Sequence, residues 1–210
     1  HAFFNSKDIP FMVFYIVTFY TLFLLIEKQN YKFAVLHAFT TALLINVRVT
    51  GIIVLPFTFF FLIAFVASNS YKNRQNLEWL YLIKLLLIYI INSTVFVYIL
   101  WPFLWENPID NFITAYSNMS KFRWDNYTYL MGEHIRSIHS PWYYIPKWMA
   151  ITTPIFYLFT FVASVVMLLM NLFKKRKAFF MDFENLYQCM VLCFLIIPVA
   201  VIIVLKSTLY

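Results

Sequence analysis

From Phe33 to Ala67 the chain runs for 35 residues with only His37, Asn46 and Arg48 as strongly polar interruptions. A single helix of that length would be about 50 Å long at ~1.5 Å per residue. The hydrocarbon core of a bilayer is ~30 Å thick and is crossed by ~20 helical residues. The run therefore holds two short crossings and a turn. Arg48, Gly51 and Pro56 place that turn at INVRVTG. Within a bilayer every backbone amide must find its partner inside the protein, which leaves helices or a closed barrel; long uninterrupted apolar runs select helices.

Four further runs read the same way. Ile9 to Ile26 is 18 residues with Pro10 in the first turn, where its missing N–H is no loss. Leu80 to Leu100, Ala150 to Phe173 and Leu186 to Leu205 complete about six spans of an all-α integral membrane protein, with residues 1–210 forming a single membrane domain. Charged residues are only 12% of the chain, against ~25% in soluble domains. The net charge of +7 is therefore assigned to topology and anionic lipid, and no nucleic-acid partner is expected. Lys28 and Lys32 in connector 27–32, Lys72 and Arg74 in connector 68–79, and the run Lys174, Lys175, Arg176, Lys177 all fall on one side by alternation, which the positive-inside rule makes cytoplasmic. Residues 1–8, the Arg48 turn and the stretch 101–149 then share the extracytoplasmic side. Cys189 and Cys193 lie four apart on one helix face and read as small buried hydrophobes. The chain opens at His1 without a basic leader, and is expected to be a fragment.

The stretch 101–149 is too polar to span. It carries four carboxylates, four basic side chains, two histidines and five of the six tryptophans. Its aromatic content supplies the apolar area that disordered segments lack, so a folded lid on the membrane surface is expected.

Candidate chemistry gathers on the extracytoplasmic side. Asp8, with Asn5 and Lys7 beside it, precedes a span; it is either a helix cap or a carboxylate that orients or deprotonates a substrate. Arg48 either snorkels to the boundary or holds a phosphate, for which a guanidinium is well shaped. In the lid, Lys121, Arg123, Arg136 and Lys147 lie among Trp124, Trp142, Tyr143, Tyr144 and Trp148. An interfacial aromatic belt has that composition, and so does a phosphoglycolipid site. His134 and His139 are five apart, off a shared helix face, so no metal site is assigned and dependence on a divalent metal stays open. Asn92, Ser93 and Thr94 form a polar patch expected to pack against a neighbouring helix. Three Asn-x-Ser/Thr matches, at Asn92, Asn118 and Asn126, are read as chance.

The order NSKDIPF, INVRVTG, FRWDNYTYLMG and SPWYYIPKWMAITTP resembles the bacterial polytopic GT-C membrane glycosyltransferases related to dolichyl-phosphate-mannose protein mannosyltransferases and to the lipid A aminoarabinose transferase. The resemblance implies transfer of a monosaccharide from a polyprenyl-phosphate donor to a glycan, lipid or protein acceptor, on the extracytoplasmic face of the bacterial inner membrane, by single displacement with inversion. It makes Asp8 the second-loop acidic residue of the active site, with the first-loop acidic residue upstream of this chain. Asn5, Lys7, Arg48, Arg123, Trp124, His139, Trp142, Tyr143 and Tyr144 are the expected substrate-binding set. Two rival readings are a transporter or lipid-flippase subunit, with Asn46, Arg48 and Asn92 along its path, and a non-catalytic scaffold whose lid binds a protein.

Overall fold

The structure is a computed structural model that describes residues 7–73, 79–120, 126–137, 141–175, 179 and 183–204. Its elements are α1 (Asp8–Lys28), α2 (Tyr31–Val47), a 3-10 turn (Val49–Ile53), α3 (Val54–Asn73), α4 (Trp79–Leu100), a second 3-10 turn (Pro102–Leu104), α5 (Pro108–Ser120), β1 (Tyr127–Leu130), β2 (Glu133–Arg136), α6 (Tyr144–Thr152), α7 (Ile155–Lys175) and α8 (Phe183–Val204). Among the described residues five segments are long and apolar enough to cross a membrane: α1, Val49–Ala67, α4, α7 and α8. The sixth expected span, α2, has only 17 residues, about 26 Å at ~1.5 Å per residue. The chain divides into two compact units, His1–Met119 and Ser120–Tyr210, and the division falls inside the 101–149 stretch.

The first unit is built around α2, which packs chiefly on α1 and α4. The polar connector EKQN makes α1 and α2 an antiparallel pair. Gln29 takes a left-handed conformation (φ 46°) and its N–H caps the Leu25 carbonyl, while the Asn30 side chain accepts from the Lys32 N–H at 3.0 Å. The Tyr81 hydroxyl donates to the Gln29 carbonyl, fixing the start of α4 against this corner. Ala34, Ala38 and Ala42, one turn apart on α2, are fully buried; side chains this small let neighbouring helices approach closely.

Between the helices lies a closed polar network. His37 is fully buried, with Nδ1 at 3.0 Å from the Thr21 hydroxyl of α1 and Nε2 at 2.8 Å from the Thr58 hydroxyl of α3. Its ring stacks on Tyr89 of α4, with centroids 4.9 Å apart. Thr21 also meets Thr40 at 2.8 Å, and the Tyr89 hydroxyl meets Thr41 at 3.2 Å and Thr58 at 3.3 Å. One imidazole thus ties all four long helices of the unit together. Hydroxyls suit it because each can donate or accept, whichever tautomer the ring adopts.

Gly51 shows how tightly the Arg48 turn is closed. A Cβ built there would lie 2.8 Å from Leu44 Cγ and 3.0 Å from the Leu44 carbonyl carbon. Gly51→Ala is expected to destabilise the protein by ~1–3 kcal/mol, the usual cost of overpacking. The check is a lowered unfolding midpoint in detergent or bicelles; an unchanged midpoint would mean that the turn can retreat from α2.

In the second unit the all-α expectation needs a correction. Within the lid, β1 and β2 form an antiparallel hairpin in the register Tyr127 with Arg136, Thr128 with Ile135, Tyr129 with His134 and Leu130 with Glu133. The two residues between the strands, Met131 (φ 54°) and Gly132 (φ 94°), both have positive φ, the requirement of the two-residue turn whose twist matches paired strands. The expected span from Ala150 is also broken. Pro154 disfavours helical geometry at the residue before it, and Thr153 is extended (ψ 129°), so α6 ends at Thr152 and the apolar helix α7 begins at Ile155. Cys189 and Cys193 are free thiols, partly buried on α8. On α4, Asn92 and Thr94 bond back to the Ile88 and Ile90 carbonyls, and Ser93 is buried.

Candidate functional site

The beginning of α1 and the end of α2 meet at the same end of the first unit, as their antiparallel pairing requires. Asp8 is the first residue of α1. The cap position belongs to Lys7, whose carbonyl accepts from the Phe11 N–H at 3.0 Å and whose exposed side chain makes no capping bond. Asp8 therefore occupies the first turn, where the helix dipole favours a carboxylate. That carboxylate accepts a hydrogen bond from Arg48 Nη2 in an ion pair.

Arg48 is where α2 stops. Its backbone is extended (φ −148°, ψ 130°), its N–H still bonds the Leu44 carbonyl at 3.1 Å, and its own carbonyl accepts from Gly51 at 2.9 Å. The guanidinium carbon stands 6.0 Å from the centroid of the Phe11 ring, one turn along α1 from Asp8. The pair is half in water, with side-chain exposures of 29% for Arg48 and 47% for Asp8. At such exposure an ion pair contributes only ~0–1 kcal/mol to stability. Both groups can be reached from solvent by a third polar group.

Two residues before Arg48, both polar atoms of the Asn46 amide are buried without a hydrogen-bond partner among the described residues. An unmet buried polar group costs ~1–3 kcal/mol, and such groups in folded proteins call for an explanation.

Beside this end of the unit runs an apolar groove of about 650 Å³, walled by Ile45, Ile52, Phe59, Val97, Leu104 and Phe112 among others. Ile45 and Ile52 flank Arg48 in the chain. Ala42, Ile45, Val97 and Leu104 form a buried cluster, with Phe96, Trp101 and Phe112 packed against it. The first part of the lid is thereby seated on α2 and α4. Trp105 Nε1 donates to the Tyr98 carbonyl at 2.9 Å and the Asn111 amide to the Phe103 carbonyl at 2.6 Å. Ile109, Phe112 and Ile113 line the groove from α5; the spacing i, i+3, i+4 gives an amphipathic helix its apolar stripe.

Of the residues expected at a site, Asp8 and Arg48 come together and Lys7 is adjacent. Asn5, Arg123, Trp124 and His139 lie outside the described residues, as do Lys121, Arg74, Arg176 and Lys177. Trp142, Tyr143 and Tyr144 belong to the second unit, where the first two are exposed and Tyr144 is buried beside Trp148. Sequence reasoning missed Phe11 and the groove under α5. For Phe11, its place one turn after Asp8 was an available signal.

The chain matches no protein-family model, no curated protein and no solved structure.

Proposed function

We propose that this chain belongs to a membrane glycosyltransferase that moves a monosaccharide from a polyprenyl-phosphate donor to a glycan, lipid or protein acceptor at the extracytoplasmic face of a bacterial inner membrane. The observation that carries the reading is a partly exposed carboxylate and guanidinium, side by side, at the same end of the unit as the Ile45, Ile52 and Leu104 part of an apolar groove. An amphiphile with a phosphate head and a prenyl chain matches that pairing of chemistries. In this reading Arg48 holds the phosphate and stabilises the charge that builds on it as the sugar leaves. The groove takes the first isoprene units. Asp8 accepts a hydrogen bond from the acceptor hydroxyl, orients it toward the anomeric carbon and takes its proton as the new glycosidic bond forms and the polyprenyl phosphate departs. Seated α5 limits the access of water that would hydrolyse the donor.

A transport path is less well supported. Thr21, His37, Thr40, Thr58 and Tyr89 use their hydrogen-bonding capacity on one another and are shut off from solvent.

The test is Arg48→Ala in the complete protein, assayed with a radiolabelled polyprenyl-phosphate hexose. Loss of a charge-assisted hydrogen bond, ~1.5–3 kcal/mol, is expected to raise the donor KM ~10–100-fold, since ~1.4 kcal/mol is a factor of ten. The acceptor KM should be unchanged. An unaltered donor dependence would leave Arg48 as a structural partner of Asp8 and remove the reading's main support.

A further inference from the structure

We propose that the β1–β2 hairpin and α6 form a plate that lies in the headgroup layer of a bilayer containing anionic lipid. The argument begins with the alternation of side chains in YTYLMG. Thr128 and Leu130 are buried, at 8% and 6% exposure, whereas Tyr127, Tyr129 and Met131 are 61%, 59% and 73% exposed. A hairpin with one packed face normally turns polar side chains to water on the other. Here the outward face carries two tyrosines, and the methionine of the adjoining turn is exposed as well.

The register sorts the charges as well. Directly opposed residues of an antiparallel pair share a face. His134 therefore lies with Tyr129, and the two rings meet edge to face at 5.2 Å. Arg136 lies with Tyr127. Glu133 pairs with Leu130 and so lies on the other face. Aromatic and basic side chains are thus together on the outward face, and the hairpin's one carboxylate is excluded from it.

From α6, Lys147 donates to the Met131 sulfur at the hairpin tip and stands 5.9 Å from the Tyr143 ring centroid. This contact links the hairpin to a helix that exposes Trp148 and Ile151, with exposed Trp142 two residues before its start. Helix α6 ends three residues before Ile155, where an apolar helix of membrane-spanning length begins. At ~3.5 Å per residue that link reaches at most ~10 Å, so the end of α6 lies within a headgroup's depth of the start of α7, the helix of membrane-spanning length. Tyrosine and tryptophan accumulate at that level, and basic residues there meet anionic lipid. Continuity with α7 and the sorted charge together select a lipid surface as the occupant. The inference does not depend on the catalytic reading.

The experiment is nitroxide accessibility in the full chain carrying Cys189→Ala and Cys193→Ala, placed in nanodiscs of phosphatidylcholine and phosphatidylglycerol. A label at Met131→Cys is expected to collide with oxygen but to be protected from a water-soluble nickel complex. The oxygen-to-nickel ratio should be severalfold above that of a label at Glu133→Cys on the opposite face. Tyr127→Cys gives the same reading without disturbing the Lys147 contact. A high nickel collision rate at both Met131 and Tyr127 would place the face in water and overturn the proposal. Protection from both reagents would mean coverage by protein and would equally overturn it. In nanodiscs of phosphatidylcholine alone the ratio should fall; an unchanged ratio would overturn the preference for anionic lipid.

Discussion

Asparagine at Asp8 is expected to lower sugar transfer by ~10²–10⁴-fold, the range that positioned acid–base groups contribute, while leaving the protein folded. The two halves of that expectation have separate causes. Asp8 is 47% exposed and Arg48 29%, so the pair is partly hydrated and stabilises the fold by no more than ~1 kcal/mol. Asparagine keeps the size of the side chain and a carbonyl that Arg48 can still reach, so α1 and α2 stay in register. What it removes is the charge and one acceptor oxygen at the spot where an acceptor hydroxyl would be held. Transfer should be measured with polyprenyl-phosphate hexose at saturating donor, beside an unfolding midpoint for the same preparation. Normal turnover with an unchanged midpoint would take Asp8 out of the reaction. Lost turnover with a collapsed midpoint would make it structural.

The second large effect is predicted for stability. His37→Ala should destabilise the protein by ~3 kcal/mol. Two ring-nitrogen hydrogen bonds disappear, and in membrane interiors these average ~0.6 kcal/mol each with a maximum of ~1.7. Thr21 and Thr58 are not orphaned, because their hydroxyls also reach the Thr18 and Val54 carbonyls at 3.0 Å. The larger share of the loss is therefore the cavity left beside Tyr89, at ~24 cal/mol per Å³. His37→Phe fills that space and keeps the stack on Tyr89 but still loses both nitrogens, so it should cost only ~1–2 kcal/mol. Reversible unfolding in mixed micelles would order the two variants. Equal losses would assign the effect to hydrogen bonding alone, and a loss below ~1 kcal/mol for alanine would mean that the four helices do not depend on this tie.

The contrast between these residues shows what the sequence could disclose. Apolar run length placed α1, α4 and the break at Arg48, Gly51 and Pro56, because lipid thickness and helix rise permit few alternatives. Charge alternation put Asp8 and Arg48 on one side, but nothing in the spacing of residues 40 apart indicated that they pair. His37 was visible only as an interruption in an apolar run. Its partners Thr21, Thr58 and Tyr89 come from three other helices, and threonine is too mild in hydropathy to mark a buried polar centre. The hairpin was hidden for a different reason: Met131 occupies a position where Asn, Asp or Gly is the usual signal of a tight turn, leaving Gly132 as the sole hint. The Pro154 break was written in the sequence and was outweighed there by the apolar residues around it.

The close fit of Gly51 against Leu44 has a consequence for timescale. The turn that follows Arg48 packs back on the end of α2, where a Cβ at Gly51 would lie 2.8 Å from Leu44 Cγ. If Arg48 holds a phosphate as proposed, the movable part is its side chain, and side-chain reorientation is faster than the microseconds or longer that hinged elements take. On the proposed reading, phosphate capture there would then require a side-chain movement and no movement of a helix.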